Sequence, residues 1–174
     1  MTPSRDQPAY NDAALSARFR PLFSAIVHNT RFASQPLFFP ESVYVSMKTG
    51  ILANPSSDYL FRLVAFYSLD VTAYHDHLGP GAATASFVTI HAAAHSAQWI
   101  AAGTCENKFG YWHLANARLV YNDAGVKSVA IASLISWRGE WYVIHLGPNP
   151  RPSNVGTVAL PANGPGTPGP AGGC

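Results

Sequence analysis

The sequence predicts an α+β domain in which N-terminal helices pack on a curved antiparallel β-meander. Residues 126–137 and 140–146 are rich in β-branched and aromatic side chains, and Arg138-Gly139 between them is a two-residue hairpin signal. Residues 111–121 form the preceding strand, joined to the next through the turn-forming run Asn-Asp-Ala-Gly. The third observation is a helix upstream of these strands, whose apolar side chains repeat at helical spacing.

Two helices are predicted in the N-terminal half. Asp12 is expected to cap the first helix, and Pro21 to kink it or divide it into two short helices. Ser57 is expected to cap the second helix, and Gly79 to end it. The apolar positions are Leu15, Phe19, Leu22, Phe23 and Ile26 in the first helix and Leu60, Leu63, Val64, Tyr67, Val71, Tyr74 and Leu78 in the second.

The segments around these helices are shorter. Residues 32–40 are expected to form an apolar loop, and the alternation over residues 43–47 predicts a short strand. Residues 85–91 predict another strand, and residues 95–102 predict either its partner or a short helix.

The period of two along the meander assigns its side chains to two faces. One face is expected to pack under a helix with Ile131, Ile135, Trp137, Tyr142, Ile144 and Leu146, and the other to carry Ala130, Ala132, Leu134, Trp141, Val143 and His145. If the loop after the first strand holds four residues, Tyr111 and His113 fall on the face of His145. The small side chains there favour a ligand pocket or a close helix approach, and a shift of one residue would move His113 to the opposite face.

Composition sets further bounds on this chain of 174 residues. Charged residues are only 11% of the chain, so part of its surface is expected to be covered by a partner, in a homo-oligomer or a protein complex. The net charge is +2 and the basic residues form no run, which argues against nucleic-acid binding. No apolar run is long enough to predict a membrane span.

The predicted organisation is a flexible N-terminus over residues 1–11, one α+β domain over residues 12–147, and a Gly/Pro-rich tail over residues 148–174. Of the last 28 residues, 14 are Gly or Pro, so the tail is expected to be disordered or extended. The N-terminus lacks a signal-peptide pattern, which favours the cytoplasm unless that end is processed. A disulfide between Cys105 and Cys174 would require an oxidising compartment.

Helices followed by a long antiparallel meander resemble the cone-shaped α+β fold of the nuclear transport factor 2-like superfamily, over roughly residues 12–147. The resemblance implies a strongly curved sheet whose helices enclose a pocket, in a fold that serves isomerases, cyclases, dehydratases and non-catalytic dimerising modules. It also implies a buried carboxylate in the pocket, often with a tyrosine. Here the predicted strand interiors contain no Asp or Glu, and Asp70 and Asp76 do not fit the apolar stripe of their helix.

The candidate catalytic residues are His145, His113 and Tyr111, because a His–Tyr pair can transfer protons near neutral pH. For each histidine, a core imidazole satisfied by a neighbour is the alternative. The candidate ligand-binding residues on the same predicted face are Trp141, Leu134, Ala132 and Tyr121.

Two other kinds of site are weaker candidates. His91 and His95 are four residues apart, a spacing that suits zinc on a helix, but the intervening Ala-Ala-Ala supplies no Glu base. Cys105 lies near Lys108 and His113 in sequence, which would favour a reactive thiolate. We expect neither a metal nor another cofactor.

Together these observations predict a non-catalytic ligand-binding or assembly module with an apolar pocket for a small apolar ligand. The alternative is a small-molecule enzyme, isomerase, cyclase or hydrolase-like, that uses a His/Tyr pair. A third interpretation is a component that docks through its Gly/Pro tail.

Overall fold

The computed structural model of the chain describes residues 5–93, 96–151 and 154–170. Within these residues, helices pack on an open, six-stranded antiparallel sheet, which confirms the α+β class and the antiparallel meander. No helix in the described part of the chain is long and apolar enough to cross a membrane.

Helix α1 (Asp12–Val27) is continuous and buries the five predicted apolar side chains. Its cap is Asn11, whose side chain accepts a hydrogen bond from the backbone of Ala14 at 2.9 Å, and not Asp12. Pro21 lies inside the helix without dividing it into two. The buried side chains on both sides of the proline hold the two halves against the sheet, and this packing offsets the missing backbone hydrogen bond.

Helix α2 (Glu41–Lys48) replaces the strand predicted over residues 43–47, so that prediction was wrong. It buries Val43, Tyr44 and Met47, which follow a helical and not an alternating spacing. Five residues are too few to separate the two periods. The stronger signal was the start, where Pro40 is followed by an acidic first turn.

The third helical stretch covers residues 55–78 as α3 (Pro55–Asp58), a π-helical turn (Tyr59–Val64) and α4 (Ala65–Leu78). Its cap is Asn54, whose side chain accepts a hydrogen bond from the backbone of Ser57 at 3.0 Å, so Ser57 is not the cap. The wider π turn rotates the apolar stripe, and Leu60 is therefore 46% exposed. The later positions Leu63, Tyr67, Val71, Tyr74 and Leu78 are buried as predicted.

The strands of the sheet are β1 (Ser86–His91), β2 (Ala97–Ile100), β3 (Tyr111–Asn122), β4 (Val126–Trp137), β5 (Glu140–His145) and β6 (Ala159–Asn163). Their order is β1-β3-β4-β5, with β2 paired to β3 and β6 paired to β4. Arg138 and Gly139 both have positive φ, of 49° and 79°, as the predicted tight hairpin between β4 and β5 requires.

Strand β6 comes from the Gly/Pro-rich segment, so part of that segment is extended and belongs to the sheet. β5 pairs with the second half of β4, from Ser133 to Trp137, and β6 pairs with the first half, from Lys127 to Ala130. Because β4 is twice as long as β5, its first half would otherwise present unpaired backbone groups.

The shared face predicted for Ile131, Ile135, Trp137 and Tyr142 agrees with the register, but the face predicted for His113 and His145 was wrong. Asn122 pairs with Val126, which leaves a turn of three residues and places His113 opposite Ile135. A bulge between Ser133 and Leu134 then places His145 opposite Ser133. Both imidazoles therefore lie on the face of Ile131, Ile135 and Trp137, toward the helices, because paired residues of antiparallel strands share a face.

Asp70 joins α4 to the segment that follows the meander. Its carboxylate is 1% exposed and lies 2.6 and 2.8 Å from the two terminal nitrogens of Arg151. It also accepts hydrogen bonds from the backbone nitrogens of Gly147, at 2.8 Å, and Thr157, at 3.0 Å. The carboxylate that the sequence left outside the apolar stripe is therefore a buried anchor.

Asp70→Asn is expected to lower the free energy of unfolding by about 3–5 kcal/mol, because it leaves the Arg151 guanidinium buried without its counter-charge. Chemical denaturation measures the loss. Asp76→Asn, at an exposed position of the same helix, is the matched control and should change stability little. Adding Arg151→Gln to Asp70→Asn should restore part of the loss, and strictly additive effects would contradict the proposed coupling.

Candidate functional site

A cavity of about 720 Å³ lies between the sheet, helix α2 and the π turn. Its wall is completed by the loop over residues 105–107 and by Pro148, Asn149, Ala159 and Leu160. Its apolar lining consists of Met47, Ala115, Ala132, Ile135, Ile144, Pro148, Ala159 and Leu160, together with the rings of Tyr44 and Tyr111. Its polar lining consists of Lys48, Arg62, Glu106, Asn107, His113, Asn116, Ser133, His145 and Asn149.

The sheet wall carries a hydrogen-bonded His–Ser pair. Nε2 of His113 lies 2.6 Å from Oγ of Ser133, and both side chains line the cavity. The β3–β4 register makes this contact, because it places Ala115 opposite Ser133 and so brings His113 one step along the same face.

His145 is electrically neutral at neutral pH. Burial, followed by the positive charges of Arg62 and Arg151 and by His113, lowers the pKa of His145 from 6.5 to about 4. Its Nε2 lies 3.4 Å from the amide nitrogen of Asn149. A neutral imidazole here is a hydrogen-bonding group in a field that disfavours further positive charge.

Tyr111 and Asn107 form the end of the cavity next to β2. The hydroxyl of Tyr111 accepts a hydrogen bond from the amide nitrogen of Asn107 at 3.2 Å, and burial raises the pKa of Tyr111. Asn107 is 4% exposed, and its side-chain oxygen has no hydrogen-bond partner within the described residues.

The helix wall is built around a carboxylate. Nε and Nη2 of Arg62 each lie 2.6 Å from the carboxylate of Asp58, and Nη2 also donates to the hydroxyl of Tyr44 at 3.1 Å. The hydroxyl of Tyr44 donates a hydrogen bond to the carboxylate of Asp58. Burial and this carboxylate raise the pKa of Tyr44. Nζ of Lys48 donates to the backbone oxygens of Cys105, at 3.2 Å, and Glu106, at 3.1 Å.

Four of the seven predicted site residues line this cavity. They are His145, His113, Tyr111 and Ala132. The structure places Leu134 and Trp141 on the opposite face, where Trp141 donates from Nε1 to the backbone oxygen of Ala9 at 2.9 Å. Tyr121 packs against Phe23 at 5.8 Å between ring centroids and lines a separate, smaller cavity of about 240 Å³.

Several polar residues of the site were not found from the sequence. Ser133 was not recognised because its contact with His113 depends on the register of β3 and β4. Lys48 and Tyr44 belong to α2, which alternation predicted to be a strand, and Arg62 belongs to the π turn. The start of a helix at Pro40 and Glu41 is the sequence signal that could have identified α2.

His91 and Cys105 have structural contacts in the fold. Nδ1 of His91 lies 2.7 Å from the carboxylate of Asp12, while His95 lies outside the described residues. Among the described residues, no group of three His, Cys, Asp or Glu could hold a metal ion. Cys105 lines the cavity but is disulfide-bonded, so it is not the free thiol that nucleophilic chemistry requires; Cys174 lies outside the described residues.

No known family, curated protein or solved structure matches this chain in comparisons of sequence and fold. The function must therefore be inferred from the cavity itself.

The titration of His145 tests the electrostatics of the cavity. In two-dimensional NMR spectra its imidazole is expected to titrate with a midpoint near pH 4, and His145→Gln identifies its resonances. Since the pKa is lowered in the folded state, the unfolded chain binds this proton first as the pH falls from about 6.5 to 4. His145 should therefore reduce stability over that range, by at most about 3 kcal/mol, and His145→Gln should remove this part of the pH dependence. A midpoint above pH 6 would contradict the described burial.

Proposed function

We propose that the protein is a non-catalytic binding module and that the 720 Å³ cavity holds a small molecule. The observation that carries the proposal is the cavity itself, whose volume falls in the range of small-molecule sites. Its wall combines aliphatic and aromatic surface with nine polar or charged side chains, so it can bury the apolar part of a ligand and fix its orientation through polar contacts.

The electrostatics favour binding over proton transfer. Efficient acid–base catalysis needs a group whose pKa lies near the working pH. Burial moves the pKa values of two of the three candidates away from neutrality in opposite directions, lowering the pKa of His145 to about 4 and raising that of Tyr111. At pH 7 both groups are uncharged, so they serve better as hydrogen-bonding partners than as a proton-transferring pair.

One observation favours the alternative of a small-molecule enzyme. The 2.6 Å contact between His113 and Ser133 is within the reach that proton transfer requires. A turnover that His113→Gln abolishes, while ligand binding persists, would identify the protein as an enzyme.

The proposal extends the resemblance to the nuclear transport factor 2-like superfamily. Helices that precede the sheet and a cavity between the two support this assignment. The bulge between Ser133 and Leu134 supports the cone-like curvature that such a fold needs, because bulges bend strands.

Binding of a neutral apolar dye, N-phenyl-1-naphthylamine, tests the proposed function. Its fluorescence is expected to rise with the wild-type protein and to saturate at one dye per chain. Ala132→Phe should weaken dye binding at least about tenfold, because it places a phenyl ring in the cavity at a half-buried lining position.

The matched control is Ala17→Phe, at an exposed position of α1 away from the cavity lining, which should leave dye binding unchanged. Circular dichroism and thermal unfolding establish that both variants are folded. If the folded Ala132→Phe protein binds the dye as the wild type does, the cavity is not the binding site.

Self-association stays a prediction of the charge-poor composition. Sedimentation velocity at micromolar concentration is expected to show a dimer or larger assembly, and a monomer would contradict it. Truncation after Arg151 is not a clean test of docking through the tail. It also removes β6 and the contact of Thr157 with Asp70, which belong to the fold.

A further inference from the structure

Lys48 presents an incompletely matched positive charge to the cavity. Two backbone oxygens accept hydrogen bonds from its ammonium group, which has three N–H donors. Within the described residues, Lys48 forms no salt bridge with a carboxylate. Burial lowers the pKa of Lys48, which shows that water does not fully solvate the charge.

Arg62 places a second cation on the same wall. Its Nε and Nη2 are engaged by Asp58, whereas Nη1 has no hydrogen bond within the described residues. Arg62 is close enough to Lys48 that its positive charge further lowers the pKa of Lys48, although Asp58 and Glu106 act in the opposite direction. Two partly desolvated cations, each with an N–H donor not used in the described hydrogen bonds, therefore line one cavity.

The nearby carboxylates neutralise this end only in part. Among the neighbouring charges Glu106 has the largest influence on the pKa of Lys48 and raises it, yet burial still lowers that pKa. His145 is neutral, and the carboxylate of Asp58 is already held by Arg62 and Tyr44. Glu106 is exposed, so solvent and salt screen its carboxylate more than the half-buried ammonium of Lys48. Burial is the main cause of the lowered pKa of His145, and the positive charges of Arg62 and Arg151 add to it. Those charges would disfavour a ligand cation and stabilise a ligand anion.

We infer that the ligand is an amphipathic carboxylic acid, bound as its carboxylate between Lys48 and Arg62 with its apolar body inside the cavity. This inference rests on the proposed function. Aliphatic side chains of the lining, such as Met47, Ile135 and Leu160, are suited to the hydrocarbon part. Lys48 and Nη1 of Arg62 offer N–H donors to the carboxylate, and hydrogen bonds between ionised groups are stronger than neutral ones.

The test compares three probes that share one hydrocarbon chain and differ in the end group. Octanoate, octanol and octylamine each compete with N-phenyl-1-naphthylamine for the wild-type protein at pH 7. Octanoate is expected to bind at least about tenfold more tightly than octanol, and octylamine more weakly than either. Raised salt should weaken octanoate binding and leave octanol binding nearly unchanged.

Lys48→Met keeps much of the side-chain volume and removes the charge. It is expected to bring the affinity for octanoate close to that for octanol without changing the latter. Lys127→Met is the matched control, since Lys127 pairs with Asp123 and does not line this cavity. Because the comparison of probes uses the wild-type protein, it stays decisive even if Lys48→Met does not fold.

The outcomes separate the two proposals. If neither the dye nor any probe binds, the proposed function fails. If octanol binds as tightly as octanoate, or octylamine binds most tightly, the cavity binds small molecules but the carboxylate assignment is overturned. If folded Lys48→Met prefers octanoate over octanol as strongly as the wild type does, Lys48 is not the group that recognises the carboxylate.

Discussion

The carboxylate of Asp70 is the contact on which the cavity depends. It is buried in α4 and accepts four hydrogen bonds, two from Arg151 and two from the backbone of the segment that leaves the sheet. An ionised carboxylate is costly to bury unless its oxygens are satisfied, so the segment must lie where its donors reach Asp70. This placement brings Pro148, Asn149, Ala159 and Leu160 to the cavity and starts β6 beside β4.

The same contact contributes to the charge of the site. Arg151 is neutralised by Asp70 in direct contact, yet its charge still lowers the pKa of His145. Arg62 is arranged in a similar way, with its charge held by Asp58 while it disfavours protonation of His145. Burial, together with the charges of these two structural ion pairs, thus keeps His145 in its neutral form.

Much of the fold follows from local patterns, and the errors arise where contacts are long-range. The three long strands, the Arg138-Gly139 hairpin and the buried stripe of α1 are confirmed, because period and turn chemistry act within a few residues. His145, His113 and Tyr111 line a cavity, but on the face opposite to the one expected. A three-residue turn and a bulge decided that face, and neither has a distinctive sequence signal. β6 was also missed, since its pairing depends on the free edge of β4.

The distribution of charge could not be predicted from the sequence, because it depends on how the helices and the last segment meet the sheet. Only 11% of the residues are charged, and charged side chains are mostly exposed in folded proteins. Formation of the core therefore does not require any cation to line a pocket. Yet Lys48 and Arg62 line the same cavity, and burial lowers the pKa of Lys48 although no carboxylate pairs with it among the described residues. Desolvating a cation costs free energy that two backbone oxygens offset only in part. An anionic group of a ligand would supply the missing stabilisation. This is the physical reason to regard Lys48 and Arg62 as ligand-binding residues and not as ordinary surface residues.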